Sequence, residues 1–118
     1  MTEIQSAWYG GVHVYEMQVR GIPVFIRKVD SYVNATRLLK AAGLENGDLI
    51  HRVLKKRAYN EVKEIVSLRA DTRLRGTWIP LPAARILAKQ YGLEEECAPL
   101  FDYDMSSGVA TELVIKSE

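Results

Sequence analysis

Two short helical patterns joined by a tight connection occupy residues 34–57, and they restrict the fold more than any other stretch of the chain. The first, in "NATRLLKAAG", begins at Asn34, a favourable helix N-cap, or earlier at Ser31. It ends at Gly43, which suits the left-handed position just past a helix. Its apolar side must be buried, because an isolated helix this short is unstable. With a second helix predicted at about 48–58, the segment forms a helix-turn-helix pattern.

The second predicted helix has an apolar side and a basic side. Asn46 or Asp48 can cap its start. At 3.6 residues per turn, four apolar residues share one side: Leu49, Ile50, Val53 and Leu54. Three basic residues lie together roughly opposite, at helical spacing: Arg52, Lys55 and Lys56. The basic side is either a nucleic-acid-binding surface or a solvated face that keeps the helix soluble.

A basic hairpin is predicted over about 62–79, directly after the second helix. "VKEIVSL" and "LRGTWIPL" have the composition of strands, and "RADTR" has that of a turn. Arg69, Arg73 and Arg75 lie at the tip, and the period of two in a strand places the last two on one face. A hairpin in this position is a wing, which reaches the DNA backbone or minor groove beside the helix. The alternative is an exposed turn that tolerates charge.

The segments on either side complete the predicted architecture. "AWYGGVHVYEMQV" alternates aromatic and branched residues, "RGIP" supplies a turn and "VFIRKV" returns, so residues 12–29 are predicted to form a β-hairpin. "PLPAARILAKQYG" predicts a helix with Pro82 in its first turn, and "LEEECAPLFDY" predicts a further helical turn. "VATELVI" predicts a closing strand. The fold class is therefore α+β, a winged helix-turn-helix with an N-terminal β-hairpin and additional C-terminal helices.

The charges of the chain are segregated, although the net charge is only +1. Residues 27–76 hold twelve of the sixteen Lys and Arg but six of the fifteen Asp and Glu. The rest of the chain is correspondingly acidic. A basic part that faces a polyanion and an acidic part that faces away are typical of nucleic-acid-binding proteins. Chance clustering of solvated charges gives the same distribution.

The candidate catalytic residues do not form a recognisable active site. No sequence cue joins His13 or His51 to Cys97, and Glu94–Glu96 are consecutive, so a helix spreads them around its circumference. The chain contains no phosphate loop, dinucleotide fingerprint or metal-ligand spacing, so we expect neither an enzyme nor a cofactor. The single cysteine favours a reducing compartment, and neither a membrane span nor a secretory leader is expected.

Five motifs occur in the order and spacing of a known domain: "YGGVHVYE", "YVNATRLLKAAG", "HRVLKK", "GTWIPL" and "PLFDY". Over residues 3–104 the chain resembles the APSES domain, the fungal member of the wider KilA-N group, which leaves 105–118 as a C-terminal extension with a candidate closing strand. It is similar in particular to the fungal cell-cycle box-binding factors, the DNA-binding subunits of MBF and SBF. This resemblance implies a nuclear transcription factor for genes used at the start of S phase, bound to double-stranded DNA with a CGCG or CGAAA-type core.

The resemblance carries over residue by residue. Val33–Ala42 matches the first motif helix, Arg52 matches a basic position of the second, and Trp78 matches a core residue that closes the wing. Seven residues are expected to contact DNA: Arg52, Lys55, Lys56, Arg69, Arg73, Arg75 and Gly76. Related regulators carry ankyrin repeats and a C-terminal assembly region, so a protein partner is expected to bind through such regions.

Two departures from the family pattern affect specificity. Relatives usually carry lysine and arginine before the second helix, where this chain has "ENGD" at 45–48. Their wing is often glycine-rich with a glutamine before Gly-Thr-Trp, where this chain has Arg75. Arginine can read guanine bidentately or enter a narrow minor groove, so the base preference is expected to differ. Two alternatives stay open, a protein-interaction module that lost DNA recognition and a viral or phage KilA-N protein.

Overall fold

The computed structural model describes residues 4–66 and 72–106, and the backbone of 111–114. This part of the chain contains seven strands: β1 Gln5–Tyr9, β2 Val12–Val19, β3 Ile22–Arg27, β4 Tyr32–Asn34, β5 Glu64–Val66, β6 Gly76–Pro80 and β7 Thr111–Val114. Its α-helices are α1 Ala35–Ala41, α2 Gly47–Leu54, α3 Arg57–Asn60, α4 Leu81–Gln90 and α5 Glu94–Phe101. The strands form one sheet in the order β5-β6-β4-β3-β2-β1-β7. The predicted α+β winged helix-turn-helix is confirmed.

The first three strands form an antiparallel meander with two-residue turns. Tyr9 pairs with Val12 across one turn and Val19 pairs with Ile22 across the next. All four turn residues have positive φ, which matches the twist of the flanking strands: Gly10, Gly11, Arg20 and Gly21. The hairpin predicted over 12–29 is therefore confirmed, with its second arm ending at Arg27.

Two cores lie on opposite faces of the sheet, because successive side chains of a strand point to opposite sides. In β2, Val14 belongs to a small core with Phe25, Leu74 and Trp78, whereas Tyr15 belongs to the large core that the helices cover. We refer to the small one, which also contains Ala7 and Tyr9, as the wing-side core, and to the large one as the helix-side core.

The predicted helix-turn-helix is present with its predicted caps. The Asn34 side chain accepts a hydrogen bond from the backbone N–H of Arg37 at 3.0 Å, which satisfies one of the free donors at the start of α1. The side chain of Asn46 caps α2 in the same manner through Asp48 N–H, at 2.8 Å. Gly43 follows α1 with a φ of 101°. These local signals were sufficient to place the starts of both helices and the end of α1.

The second helix is shorter than the predicted 48–58. α2 ends at Leu54, and α3 starts a separate turn three residues later. Lys56 has φ −58° and ψ 146°, an extended conformation that ends helical hydrogen bonding. This change of direction buries Tyr59, whose hydroxyl donates to Gln90 Oε1 of α4 at 2.9 Å. Lys55 and Lys56 therefore lie in the link between two helices, and a long-range contact rather than the helical pattern decides the break.

The wing is the antiparallel pair β5–β6 at one edge of the sheet, with Glu64 opposite Trp78. Its arms agree with the predicted hairpin at about 62–79, but Arg69 lies outside the described residues. Arg73 belongs to a 3-10 turn at Thr72–Leu74, so the prediction that it shares a strand face with Arg75 is wrong. The reason is Leu74, which is buried in the wing-side core and turns the backbone away from the strand direction.

The C-terminal elements close the fold. Pro82 lies in the first turn of α4, as predicted, and α5 packs against α4 with Cys97 and Leu100 in the helix-side core. β7 pairs parallel with β1, Gln5 opposite Thr111. The division into a domain at 3–104 and an extension at 105–118 stays a prediction. In the described part of the chain no helix is both long and apolar enough to cross a membrane.

Candidate nucleic-acid interface

The first turn of α1 is hydrogen-bonded to the returning arm of the wing. The Asn34 side chain is fully buried, and its Nδ2 donates to the carbonyl oxygen of Arg75 at 3.2 Å. Two residues further along α1, Thr36 Oγ1 accepts from the backbone N–H of Thr77 at 2.9 Å. Asn34 thus caps α1 with its oxygen and holds the wing with its nitrogen. The helix-turn-helix and the wing are thereby joined at one point, which we call the helix–wing junction.

Gly76 lies at the helix–wing junction, where there is no room for a side chain. Its φ is 133°, which L-residues rarely adopt. A Cβ atom at this position would lie 2.8 Å from Thr36 Oγ1 and 3.1 Å from Asn34 Oδ1. The glycine of "GTWIP" and the polar residues of "VNAT" are therefore two sides of one contact. The predicted contact of Gly76 with DNA stays a prediction.

The basic residues at the end of α2 and in the link after it have no acidic partner among the described residues. Arg52, Lys55 and Lys56 are exposed, and no carboxylate of the described segments lies within ion-pairing distance of them. The neighbouring Arg57 differs, because its Nε lies 3.2 Å from Glu61 Oε1. Within the described residues, three positive charges at this end of the helix therefore have no carboxylate beside them.

The described wing arginines differ in their surroundings. Arg73 is half-buried, and its Cζ lies 4.5 Å from the centroid of the Tyr9 ring. Arg75 is exposed, while its backbone is held at the helix–wing junction. Trp78 is fully buried, and its Nε1 donates to the carbonyl oxygen of Leu74 at 2.8 Å. The prediction that Trp78 is a core residue of the wing is confirmed.

Arg52, Lys55 and Lys56, which we call the helix cations, lie on a different face of the sheet from Arg73. α2 packs through Ile50 and Leu54 into the helix-side core, whereas Leu74, next to Arg73, packs into the wing-side core. A duplex that contacts both groups must pass around an edge of the sheet. The helix–wing junction connects the two faces at the wing edge. Convergence of these cations on one duplex stays a prediction.

Arg27 fixes the first arm of the wing, a role that the sequence did not reveal. Its guanidinium bonds Glu64 of β5 at 2.6 Å and Asp30 at 2.7 Å, and its Cζ lies 5.1 Å from the Trp78 ring. Burial lowers the pKa of Arg27, but the hydrogen bonds to Glu64 and Asp30 outweigh this effect and leave the pKa above its ordinary value. The only local signal is the spacing of Arg27 and Asp30, since Glu64 is distant in sequence.

Two of the residues considered as catalytic, His13 and Cys97, occupy structural positions. The His13 ring stacks on Trp8 with centroids 4.4 Å apart, in the strands of the N-terminal meander. Cys97 is buried in the helix-side core, where burial and the nearby Glu96 carboxylate raise the pKa of its thiol to about 12. A thiol with that pKa stays protonated near neutrality and is a poor nucleophile. Across the described residues, no group of three or more His, Cys, Asp or Glu side chains could hold a metal ion.

Comparison with known proteins decides the family. The model of the KilA-N domain matches residues 17–106, most of the sequence. The chain belongs to the KilA-N domain family. Transcription factor MBP1 of Saccharomyces cerevisiae is 37% identical to this KilA-N domain over 109 residues, which are 92% of the chain and 13% of MBP1. Transcription factor SWI6 of Pyricularia oryzae is 39% identical over 101 residues, 86% of the chain and 11% of that relative.

Solved structures share the fold of this KilA-N domain. The PCG2 chain, solved as a DNA complex, has a TM-score of 0.82 and 32% identity, covering 94% of this chain and 97% of PCG2. MBP1 from Saccharomyces cerevisiae has a TM-score of 0.74 and 36% identity, covering 83% of this chain and 98% of the solved one. The KilA-N domain spans about an eighth of the length of full MBP1. These homologues are fungal transcription factors, including cell-cycle regulators, rather than enzymes.

Proposed function

We propose that this KilA-N domain binds double-stranded DNA sequence-specifically, as the DNA-reading part of a nuclear transcription factor for G1/S genes. The observation that carries the proposal is the fold shared with PCG2, a protein solved in complex with DNA, over 97% of that chain. The cell-cycle assignment rests on relatives such as the cell division cycle-related protein res1/sct1 of Schizosaccharomyces pombe, 32% identical over 105 residues. A CGCG or CGAAA-type core is the proposed site.

The uncompensated cations supply the affinity in this proposal. With α2 at the major groove, Arg52, Lys55 and Lys56 bind phosphates of the adjacent backbone. Because no described carboxylate pairs with them, no ion pair with a described residue must break before DNA binds. Each phosphate neutralised releases condensed counterions, so about five such contacts give a slope of log K against log salt of roughly −4 to −5. Base contacts add the discrimination between sequences.

We expect the double substitution Lys55→Ala, Lys56→Ala to weaken binding to every duplex on the order of tenfold and to reduce the magnitude of the salt slope by about 1.8. The reason is the loss of two phosphate contacts that carry no sequence information. Fluorescence-anisotropy titrations at several KCl concentrations measure both quantities. Arg57→Ala is the matched control, since Arg57 already pairs with Glu61. A double variant with the wild-type slope would contradict the placement of these lysines.

Arg75 is the residue that we propose reads bases. Its backbone is fixed by Asn34 while its side chain is exposed, so the side chain extends from a rigid base. We expect Arg75→Ala to lose about 1–3 kcal/mol of binding to a cognate duplex and less to a random one. Arg75→Gln, which introduces the glutamine of related wings, is expected to change the preferred base. Equal losses of Arg75→Ala on both duplexes would reduce Arg75 to a phosphate contact.

Binding itself is tested with a CGCG duplex and a scrambled duplex of equal length. Tighter binding to the first supports sequence-specific recognition. Failure to bind either duplex would overturn the proposal and favour a protein-interaction module of the same fold. Selection from random duplexes, followed by sequencing, then determines the site and shows whether Arg75 has changed it.

A further inference from the structure

Arg37 of α1 differs from several other arginines of the described residues because it pairs with no described carboxylate. Within the described residues, ion pairs join Arg20 to Glu96, Arg27 to Asp30 and Glu64, Arg57 to Glu61, and Arg85 to Asp102. Arg37 is half-buried, and within the described segments no acidic side chain approaches its guanidinium. Partial burial of a charge without a counterion is unfavourable. Arg37 is such a charge, and the described residues supply no anion to pair with it.

Arg37 adjoins the helix–wing junction through its backbone, and its guanidinium lies over Phe25. Its backbone N–H donates to Asn34, the residue whose side chain also holds the wing, and its Cζ lies 5.8 Å from the centroid of the Phe25 ring. Phe25 is in edge-to-face contact with Tyr9, with centroids 5.8 Å apart. Arg73 of the wing lies over that second ring, at 4.5 Å. The Phe25–Tyr9 pair therefore holds two guanidinium groups, that of Arg37 from the helix-turn-helix and that of Arg73 from the wing.

We propose that Arg37 binds a DNA phosphodiester at the helix–wing junction, where the backbone passes from α1 to Arg73 on the wing. A guanidinium held on an aromatic face keeps its N–H edge for a bidentate phosphate contact. The proposal rests on the proposed function, since the phosphodiester is that of the same duplex. It adds a cation on the wing-side face of the sheet, where the helix cations do not reach.

The test uses Arg37→Gln in the full chain, with the matched control Arg57→Gln, an exposed arginine whose charge Glu61 already neutralises. We expect Arg37→Gln to weaken binding to cognate and random duplexes by roughly fivefold and to reduce the magnitude of the salt slope by about 0.9, with Arg57→Gln near wild type. Arg37→Lys, which keeps the charge, is expected to retain the wild-type slope. An unchanged slope for Arg37→Gln would overturn the assignment.

A second measurement separates phosphate contact from a structural role. Duplexes with one neutral methylphosphonate at successive positions are titrated with wild type and Arg37→Gln. We expect one position where the neutral linkage weakens the wild type but has no further effect on the variant. If every position weakens both proteins equally, Arg37 touches no phosphate. Wild type that fails to bind any duplex would instead refute the proposed function, so the two failures are distinguishable.

Discussion

Substitution of Trp78 with alanine is expected to lower the free energy of unfolding by about 4 kcal/mol, the largest effect of any single change that we predict. Trp78 is fully buried at the centre of the wing-side core. Alanine leaves a cavity, removes the hydrogen bond from Nε1 to the carbonyl oxygen of Leu74, and takes the aromatic face away from Arg27. Urea unfolding followed by far-UV circular dichroism measures the loss without depending on tryptophan fluorescence.

Trp8→Ala is the matched control for this prediction. Trp8 is 40% exposed and stacks on His13, so its removal opens no cavity in either core. We expect a loss of about 1 kcal/mol, typical of an aromatic pair near the surface. If the two tryptophan substitutions have the same effect on stability, the wing-side core is not the packed unit described above.

The second large effect is expected for Gly76→Ala, with a loss of about 3 kcal/mol in the free energy of unfolding. Part of the loss is backbone strain, because alanine at a φ of 133° is unfavourable by about 1–3 kcal/mol. The rest is steric, because the new Cβ would lie 2.8 Å from Thr36 Oγ1 and 2.9 Å from Thr36 Cβ. Relief of this overlap requires the wing to move away from α1, so DNA affinity should fall along with stability.

Gly11→Ala isolates the steric part of that loss. Gly11 also has a positive φ, 81°, but apart from its chain neighbours no heavy atom of the described residues lies within 4 Å of where a Cβ would be. Backbone strain alone is expected there, about 1–2 kcal/mol. Urea midpoints of the two variants, measured side by side, give the difference. Equal midpoints would show that Gly76 is required only for its backbone conformation and not for the close approach of α1 to the wing.

The helix–wing junction explains how two distant motifs can act as one unit. The side-chain oxygen of Asn34 accepts a hydrogen bond from α1, and its side-chain nitrogen donates one to the wing. A change in either segment therefore affects the other. Thr36 of α1 accepts a further hydrogen bond from the backbone N–H of Thr77 in β6. In the proposed complex with DNA, the junction preserves the angle between α1 and the wing, which a loosely attached hairpin would not do.

The elements that the sequence predicted correctly depend on local chemistry. The caps Asn34 and Asn46, the left-handed Gly43 and the turn of the hairpin at 12–29 each involve neighbours within a few positions. Pro82 marks the start of α4 in the same way. Local patterns of this kind favour the same conformation in most tertiary surroundings, which is why both helices and both hairpins could be placed.

The incorrect predictions arise where a distant contact overrides the local pattern. The second helix breaks at Lys56 because Tyr59 is buried against α4, with its hydroxyl bonded to Gln90, 31 residues away. The segment before β6 turns as a 3-10 helix because Leu74 enters the wing-side core. The burial of Tyr59 and of Leu74 does not change the hydrophobic periodicity of either segment. The periodicity therefore could not predict the helix break or the 3-10 turn.

The amino-acid sequence by itself determined the types of element, their caps and the segregation of basic residues into 27–76. Only the tertiary structure decided which of those basic residues are neutralised and which two motifs meet. Arg27 pairs with Glu64 across 37 positions, and Asn34 reaches the carbonyl of Arg75 across 41. The physical reason is that ion pairs and hydrogen bonds depend on distances of about 3 Å between atoms, which chain order does not encode until the sheet and the two cores have formed.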